Sequence, residues 1–307
     1  MLEDIIVNTT EIVTINITDE TRALRDEMLA QNLKAYLTKE GFQGSLDALK
    51  EIKAQVLPEG EHNNKIVEEE PIDGFKVYSF NRHEYDNLVL YIHGGAWVYE
   101  LLPNHVTLCD LIADKTNSKL YAPLYPLAPK YSYDDTMKMV LGLYDKLCEM
   151  NKPIFIMGDS AGGNITLCLV KMIKDTGRRL PDRVVSLSPC VDMSFSNPEA
   201  LSLEKIDPLD AVYGCNEFGK MWLKGIDPKD PSVSPLYADV SGFPKTMLLA
   251  ASNDILTPDI MKYYDKLVDA GVDVTLVKGE GLFHVFPSMP IPEREEFLDV
   301  LERFCIK

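Results

Sequence analysis

Residues 158–163 of this 307-residue chain read Gly-Asp-Ser-Ala-Gly-Gly and come directly after an apolar run at residues 154–157. A helix-like segment follows at residues 165–174. A buried strand that turns abruptly into a helix strains the turn residue, and small neighbours prevent a collision there. The stretch therefore predicts a strand–turn–helix unit that exposes the Ser160 hydroxyl at the positive end of a helix, where backbone N–H groups stabilise negative charge.

A Gly-x-Ser-x-Gly pattern alone is equally compatible with a tight turn that has no chemistry, so the surrounding pattern decides. Strand-like and helix-like segments alternate after residue 71, which predicts an α/β fold with a mainly parallel central sheet and helices on both faces. The strand-like segments are residues 75–80, 88–92, 120–124, 153–157, 183–187, 246–250 and 272–277, and the clearest helices are residues 108–115, 136–150, 165–176, 259–270 and 293–304.

Two regions depart from this alternation. Residues 21–57 have a helical pattern broken at residues 41–44, and residues 191–237 form a proline-rich stretch around one apolar helix near residues 218–223. We expect residues 1–70 to supply N-terminal cap helices, and residues 71–307 to form the main domain with a cap insertion around residues 191–237. Together the two regions could build a lid over Ser160.

The formal charge of −17 comes from 48 acidic and 31 basic residues, without a basic cluster. Binding to nucleic acid or to an anionic membrane is therefore not expected. The N-terminus lacks a secretory pattern and no apolar run could span a bilayer, so a cytoplasmic location is expected. The six cysteines have no metal-ligand spacing, which favours buried reduced thiols and no metal: Cys109, Cys148, Cys168, Cys190, Cys215 and Cys305.

A serine hydroxyl needs a base, usually histidine, and that histidine needs a carboxylate that fixes its tautomer. In folds with this turn the order along the chain is serine, acid, histidine, which leaves His284 as the only histidine after Ser160. Asp254 follows a predicted strand directly and is the favoured acid. Asp259 is the alternative, although it could instead stabilise the start of the next helix.

The other four histidines are not candidates for the base, because all of them precede Ser160 in the sequence. His93 closes an apolar strand, whereas His62, His83 and His105 are read as ordinary solvated residues.

Residues 93–97 read His-Gly-Gly-Ala-Trp at the end of a predicted strand. The two glycines have no side chain, so the N–H groups of Gly94 and Gly95 can approach a ligand oxygen and form an oxyanion hole with the N–H of Ala161. A glycine-rich hairpin would explain the glycines but not their placement upstream of Ser160. A dinucleotide-binding loop would need a Gly-x-Gly-x-x-Gly spacing that neither motif has.

These residues resemble the hormone-sensitive-lipase-like branch of the α/β-hydrolase carboxylesterases. The resemblance rests on four segments: residues 93–96, 125–129 (Tyr-Pro-Leu-Ala-Pro), 158–164 and 230–236 (Asp-Pro-Ser-Val-Ser-Pro-Leu). It implies a cofactor-free esterase with nucleophile Ser160, acid Asp254, base His284 and an oxyanion hole at Gly94, Gly95 and Ala161. Two positions differ from the family pattern: Ala96 replaces a third glycine, and Lys130 replaces an acidic residue.

The sequence thus predicts a serine carboxylesterase that hydrolyses small short- to medium-chain acyl esters through an acyl-enzyme intermediate. Trp97 and Asp159 are expected to contact the substrate. An arylformamidase, amidase or thioesterase on the same scaffold is the nearest alternative, because a His-Gly-Gly-x-Trp signature also occurs among such relatives. A non-catalytic ligand receptor is less favoured because all three triad residues are present. A homodimer through the last strand or helix is compatible with the sequence.

Overall fold

A computed structural model describes residues 10–49, 56–81 and 84–306. These residues form one sheet of nine strands in the order β1-β9-β8-β7-β6-β4-β5-β3-β2. The strands are β1 (Glu11–Asn16), β2 (Lys65–Glu68), β3 (Val77–Asn81), β4 (Asn87–Ile92), β5 (Ser118–Pro123), β6 (Ile154–Asp159), β7 (Arg183–Leu187), β8 (Thr246–Asn253) and β9 (Val274–Phe283). β2 and β3 pair with antiparallel neighbours, and the remaining pairs are parallel.

Helices alternate with most of these strands and cover both faces of the sheet. They are α1 (Asp19–Ala30), α2 (Phe42–Leu49), α3 (Pro103–Lys115), α4 (Tyr133–Cys148), α5 (Ser160–Asp175), α6 (Pro198–Leu203), α7 (Val212–Leu223), α8 (Thr257–Asp269) and α9 (Pro292–Ile306). The central strands are apolar on both sides because helices cover both faces. Alternate residues of β4 accordingly belong to two separate buried clusters, with Leu88 and Leu90 in one and Val89 and Tyr91 in the other.

The N-terminal region contributes to the sheet as well as to the cap. β1 pairs in parallel with β9 at the edge of the sheet, and Ile15 on this strand is buried. Thr18 caps α1, and the buried carboxylate of Glu293 accepts hydrogen bonds from the Thr18 N–H and the Thr21 hydroxyl. Residues 1–70 therefore do not consist of cap helices alone.

The cap combines an N-terminal part with the insertion between β7 and β8. A 3₁₀ segment (Leu33–Leu37) and α2 pack against α7, as shown by the contact between Phe42 and Phe218, whose ring centroids are 4.8 Å apart. The side-chain amine of Lys34 donates to the backbone carbonyls of Glu204 and Asp207. The two parts of the chain are thus joined by both apolar and polar contacts.

The insertion is also held to the core at both of its ends. The buried side chain of Asn164, on α5, donates to the carbonyl of Cys190 at 2.7 Å and to that of Val233 at 2.9 Å. The Ser234 hydroxyl accepts from the N–H of Met193 at 2.7 Å. These hydrogen bonds place the cap directly above the turn that carries Ser160.

The predicted α/β architecture is confirmed, and every predicted strand from residue 75 onward is observed with boundaries moved by a few residues. β1 and β2 were not predicted, because both are short edge strands with weak alternation. The helical pattern at residues 21–57 splits into α1, the 3₁₀ segment and α2, while residues 50–55 lie outside the described residues. The break falls before Phe42 rather than at residues 41–44, and Gly44 lies inside α2.

Candidate active site

Ser160 lies at the junction of β6 and α5 and has a φ of 52°. This left-handed conformation is unusual for a residue with a side chain and costs about 1 to 3 kcal/mol. It therefore persists only where the surrounding structure enforces it. Here the enforcement comes from a buried parallel strand on one side and from ten consecutive buried residues of α5, residues 161–170, on the other. The turn presents Ser160 to a cavity above the carboxyl ends of the strands, as the sequence predicts.

Two glycines allow the backbone around Ser160 to pack closely. A side chain at Gly162 would collide with the carbonyl oxygens of Ile92 and His93, so α5 can approach the end of β4 only with glycine at this position. A side chain at Gly94 would collide with the carboxylate of Asp159. The turn that carries Ser160 (residues 158–163) and residues 93–97 are therefore in direct contact, although 60 residues lie between them in the sequence.

Asp159 supports the loop at residues 93–97 from below. Its buried carboxylate accepts hydrogen bonds from the Tyr91 hydroxyl at 2.6 Å and from the Gly94 N–H at 3.0 Å. The Gly94 N–H is therefore engaged within the protein and is not a free donor for an oxyanion, which corrects the predicted set of three donors. Asp159 lines the cavity, and its carboxylate also accepts hydrogen bonds from three protein donors, so its predicted contact with substrate stays a prediction.

His105, which the sequence suggested to be solvated, is buried and contacts Asp159. Its Nδ1 accepts from the Leu102 N–H at 3.0 Å, so the ring hydrogen resides on Nε2, which donates to Asp159 Oδ2 at 3.2 Å. Burial would raise the pKa of the Asp159 carboxyl, but His105 and the Tyr91 hydroxyl outweigh that effect and lower the pKa. Asp159 is therefore ionised beneath the nucleophile turn.

His93 is enclosed at the start of the same loop. Its ring stacks on Tyr125 with centroids 4.4 Å apart, and the Tyr125 hydroxyl donates to the His93 carbonyl at 2.8 Å. Burial lowers the pKa of His93 to about 3. His93 is thus a neutral packing residue. Of the remaining histidines, His62 is exposed, and His83 lies outside the described residues.

The predicted acid and base lie at the ends of β8 and β9. Asp254 follows β8 immediately, and its Oδ2 is 2.9 Å from Nδ1 of His284, which follows β9. Asp254 is completely buried, and its Oδ1 accepts from the Leu256 N–H at 2.8 Å. The alternative acid, Asp259, lies in the first turn of α8 and accepts from the side chains of Asn197 and Lys262. The geometry therefore pairs His284 with Asp254 and not with Asp259.

A second carboxylate contacts the opposite nitrogen of the same ring. Oδ2 of Asp210, from the cap insertion, is 3.4 Å from Nε2 of His284. Burial disfavours the protonated imidazole, but the charges of Asp210 and Asp254 outweigh it and raise the pKa of His284 to about 10. The two carboxylates therefore favour the protonated form of His284. Among the described residues no hydrogen bond joins Ser160 to His284, and such contacts commonly tighten only when substrate is bound.

Asp207 fixes the position of Asp210. Its Oδ1 accepts from the N–H groups of Leu209 and Asp210, each at 2.9 Å, and its Oδ2 accepts from the Ile255 N–H at 2.9 Å. One carboxylate thus connects the cap loop to the residue that follows Asp254. Burial and the nearby charges of Asp210 and Asp254 raise the pKa of Asp207.

Ser160 and His284 line one cavity of about 230 Å³ with a largely apolar wall. The cap supplies part of that wall through Tyr36, Phe195 and Asp210, and the loop at residues 93–97 supplies Gly95, Ala96 and Trp97. Trp97 is buried, stacks on Trp222 with ring centroids 5.5 Å apart, and has an indole N–H without a hydrogen-bond partner among the described residues. The cavity can hold a small, mostly apolar molecule against Ser160.

Sequence reasoning missed Asp210, His105 and Tyr36 at this site. Asp210 lies in the segment Ile206-Asp207-Pro208-Leu209-Asp210, where two acidic residues around a proline suggest only a polar turn. His105 and Tyr36 belong to elements whose position over the cavity follows from packing alone. Ala96 has a φ of 49°, which explains why glycine would suit this position and shows that the chain accepts alanine there.

Comparison with known proteins agrees with this geometry. A family model described as alpha/beta hydrolase fold matches residues 89–288. The chain is 29% identical over 224 residues to an esterase of Acinetobacter venetianus, a match that covers 71% of this chain and 74% of that protein. It is 29% identical over 228 residues to carboxylesterase NlhH of Mycobacterium tuberculosis, covering 67% and 69% of the two chains.

Among solved structures, an esterase from the bacterial hormone-sensitive lipase family matches 94% of this chain and 98% of its own, with a TM-score of 0.80 and 21% identity. That likeness concerns the fold. None of the described helices is long and apolar enough to cross a bilayer. Both the matched residues 89–288 and the strand–turn–helix geometry around Ser160 lead to one conclusion: this chain is a member of the α/β-hydrolase family.

Proposed function

We propose that this protein is a serine carboxylesterase in which Ser160, His284 and Asp254 form the catalytic triad. The observation that carries the proposal is the 2.9 Å contact between Asp254 and His284 at the wall of the cavity that contains the strained Ser160. A nucleophile, a base and an orienting carboxylate at one cavity are the arrangement that acyl transfer requires. The esterase names of the relatives support the same class of reaction.

In this mechanism neutral His284 accepts the hydroxyl proton of Ser160 as the serine oxygen attacks the acyl carbonyl. The tetrahedral intermediate collapses, His284 gives the proton to the leaving alcohol oxygen, and an acyl-enzyme forms. Water then attacks the acyl-enzyme with His284 as the base, releasing the acid and restoring Ser160. Asp254 orients the ring through Nδ1 and stabilises the imidazolium that forms at each step.

For the oxyanion hole we propose the N–H groups of Gly95 and Ala161 as donors. Ala161 is the second residue of α5, where helical N–H groups have no partner within the helix. Gly95 lines the cavity, whereas the N–H of Gly94 is bound by Asp159. Each donor of this type typically contributes about 3 to 4 kcal/mol to stabilisation of the transition state.

The proposed substrates are esters of short- to medium-chain acids. A cavity of about 230 Å³, bounded by Trp97 and by the cap residue Phe195, has room for a few methylene groups beside the ester. The cap is fixed to the core through Asn164 and to the N-terminal segment through Lys34, which disfavours the wide opening that a long acyl chain would need.

The decisive experiment compares hydrolysis of p-nitrophenyl acetate, butyrate, octanoate and palmitate by the wild type and by Ser160→Ala. Turnover that peaks at the short chains and is lost in Ser160→Ala supports the proposal. Equal turnover by both proteins would overturn it. Parallel assays with the matched formamide and thioester test whether the ester is the preferred acyl donor, and a higher kcat/KM for either would assign the scaffold to that chemistry instead.

A further inference from the structure

The carboxylate of Asp210 has no partner in the proposed hydrolytic mechanism, yet it contacts the atom that the mechanism depends on. Oδ2 of Asp210 is 3.4 Å from Nε2 of His284, and Asp210 lines the cavity together with Ser160. In ester hydrolysis Nε2 passes a proton from the serine to the leaving oxygen. A group at this distance from Nε2 therefore lies beside the alcohol part of the bound ester.

Within the described part of the chain, no lysine or arginine forms an ion pair with this carboxylate. Among the described residues the ion-pair partner of Asp210 is His284. The charge of Lys34 also acts on Asp210, but its amine donates to the backbone carbonyls of Glu204 and Asp207. The other polar contact is weak, with the Cys215 thiol 3.8 Å from Asp210 Oδ1.

The backbone of the loop that carries Asp210 is held in place. Asp207 accepts from the N–H of Asp210 and from that of Ile255, so the loop is anchored to the core strand that carries Asp254. The remaining titratable groups near Asp210 are Asp254, Cys215 and the hydroxyl of Tyr36. None of them supplies a positive charge. Burial raises the pKa of Asp210, an effect that the positive charge of His284 opposes, so a second cation beside Asp210 would further favour its ionised form.

We propose that Asp210 determines specificity by selecting esters whose leaving alcohol carries a protonated amine close to the ester oxygen. This inference rests on the proposed esterase function. With a two-carbon spacer, ordinary bond lengths place the ammonium nitrogen roughly 3 to 4 Å from the leaving oxygen, within reach of a carboxylate beside Nε2. A charge-assisted N–H···O bond to Asp210 replaces the contact between Asp210 and His284.

That replacement couples substrate binding to activation of the base. While Asp210 faces only His284, the charged form of the imidazole is favoured, and only the minor neutral fraction can accept the proton of Ser160. An ammonium group bound to Asp210 compensates the carboxylate and frees Nε2 to face Ser160. An uncharged alcohol of the same shape offers neither effect, and an anionic alcohol is repelled by Asp210.

The test compares two butyrate esters that differ only in charge: 2-(dimethylamino)ethyl butyrate, protonated at about pH 7, and its carbon isostere 3-methylbutyl butyrate. The measured quantity is the ratio of kcat/KM for the cationic ester to that for the neutral ester. We expect this ratio to be about tenfold or more higher in the wild type than in Asp210→Asn, equivalent to about 1.4 kcal/mol. Asp269→Asn, which removes one exposed carboxylate from the end of α8, is the matched control and should keep the wild-type ratio.

A ratio that is the same in the wild type and in Asp210→Asn would overturn the assignment of Asp210. The esterase proposal is tested by a different result: it would be contradicted if Ser160→Ala hydrolysed p-nitrophenyl butyrate as fast as the wild type. If Asp210→Asn does not fold, the proposal is tested with the wild type alone. The measurement is then how strongly each of the two free alcohols inhibits hydrolysis of p-nitrophenyl butyrate. Stronger inhibition by 2-(dimethylamino)ethanol than by 3-methylbutanol supports the assignment, and equal or weaker inhibition contradicts it.

Discussion

Nδ1 of His284 lies 2.9 Å from Asp254 and Nε2 of the same ring lies 3.4 Å from Asp210, so two carboxylates from different parts of the chain flank one imidazole. Asp254 belongs to the core, whereas Asp210 comes from the cap insertion. The cap therefore contributes charge to the proposed base in addition to the shape of the cavity. This arrangement has consequences for pH dependence that a triad with a single carboxylate would not show.

Hydrolysis should depend on pH through this ring. The two carboxylates raise the pKa of His284 to about 10, and only the neutral imidazole can act as a base, so kcat/KM should increase with pH into the alkaline range. Asp210→Asn removes one of the charges and lowers that pKa, because an opposite charge nearby stabilises the imidazolium. The rising limb of the pH profile should then move to lower pH by about one unit or more.

The profile is measured with p-nitrophenyl butyrate, with the rate of Ser160→Ala subtracted at each pH to remove hydrolysis by hydroxide. Asp269→Asn should reproduce the wild-type limb, because its carboxylate is exposed and remote from the cavity. If kcat/KM rises over the same pH range in the wild type and in Asp210→Asn, Asp210 does not control the protonation of His284.

A second prediction concerns the support beneath the oxyanion loop. In Asp159→Asn the new NH2 group must face either the Nε2–H of His105 or the N–H of Gly94, because both oxygens of Asp159 accept from donors. Two donors cannot pair, so the loop that carries Gly95 should shift. A displacement of roughly 1 Å at a catalytic group can lower the rate about 100-fold, and we expect a loss of that order in kcat.

The comparison variant for this prediction is His105→Gln, which keeps an N–H donor toward Asp159. It should retain more activity than Asp159→Asn when both are assayed with the same ester. Asp159→Asn with wild-type kcat would mean that the carboxylate is dispensable for positioning the loop.

The link between α5 and the cap can be tested through stability. Asn164→Ala removes two hydrogen bonds and leaves the buried carbonyls of Cys190 and Val233 without these donors. We expect the free energy of unfolding to fall by about 2 to 4 kcal/mol, since each unsatisfied buried group costs about 1 to 3 kcal/mol. Urea denaturation measures the change. The control is Asn216→Ala, at a half-buried position of α7, which should change the free energy of unfolding by less than about 0.5 kcal/mol. If both variants lost the same free energy of unfolding, the two hydrogen bonds of Asn164 would not explain the loss.

Two isoleucines of the six-residue edge strand β1 differ in burial and can be compared by substitution. Ile15 is 1% exposed and Ile12 is 57% exposed, although both pair with β9. Ile15→Ala should lower the free energy of unfolding by about 2 to 5 kcal/mol through lost burial and a residual cavity, whereas Ile12→Ala should have an effect near zero. Thermal or urea unfolding of the two variants provides the measurement. Similar values would show that β1 does not stabilise the strand leading to His284.

Local patterns in the sequence were sufficient for the central sheet and for the order of the proposed triad. The apolar run before Ser160, the glycines around it and the position of Asp254 directly after a strand are all properties of a few consecutive residues. Backbone geometry links such patterns to structure without reference to the rest of the chain. The same reasoning failed for β1 and β2, because β1 has adjacent apolar residues in place of a strict alternation and β2 has only four residues.

At the loop of residues 93–97 the local sequence pattern predicted only part of the structure. The glycines at residues 94 and 95 predicted N–H groups close to a ligand, and their loop indeed lies beside Ser160. Which of these N–H groups is free depends on Asp159, which follows 65 residues after Gly94 and binds its amide. Hydrogen-bond partners at this sequence separation cannot be assigned from a motif.

The sequence by itself determined the α/β architecture, the turn at Ser160 and the serine–aspartate–histidine order, because each depends on short-range periodicity and on residues with special backbone preferences. Only the tertiary structure decided that Asp210 faces Nε2 of His284, that His105 is buried against Asp159, and that β1 and the 3₁₀ segment place the N-terminal region at both the sheet edge and the cavity wall. The physical reason is that charge–charge contacts and burial depend on distances in space, which packing brings about between segments whose sequences carry no mutual signal.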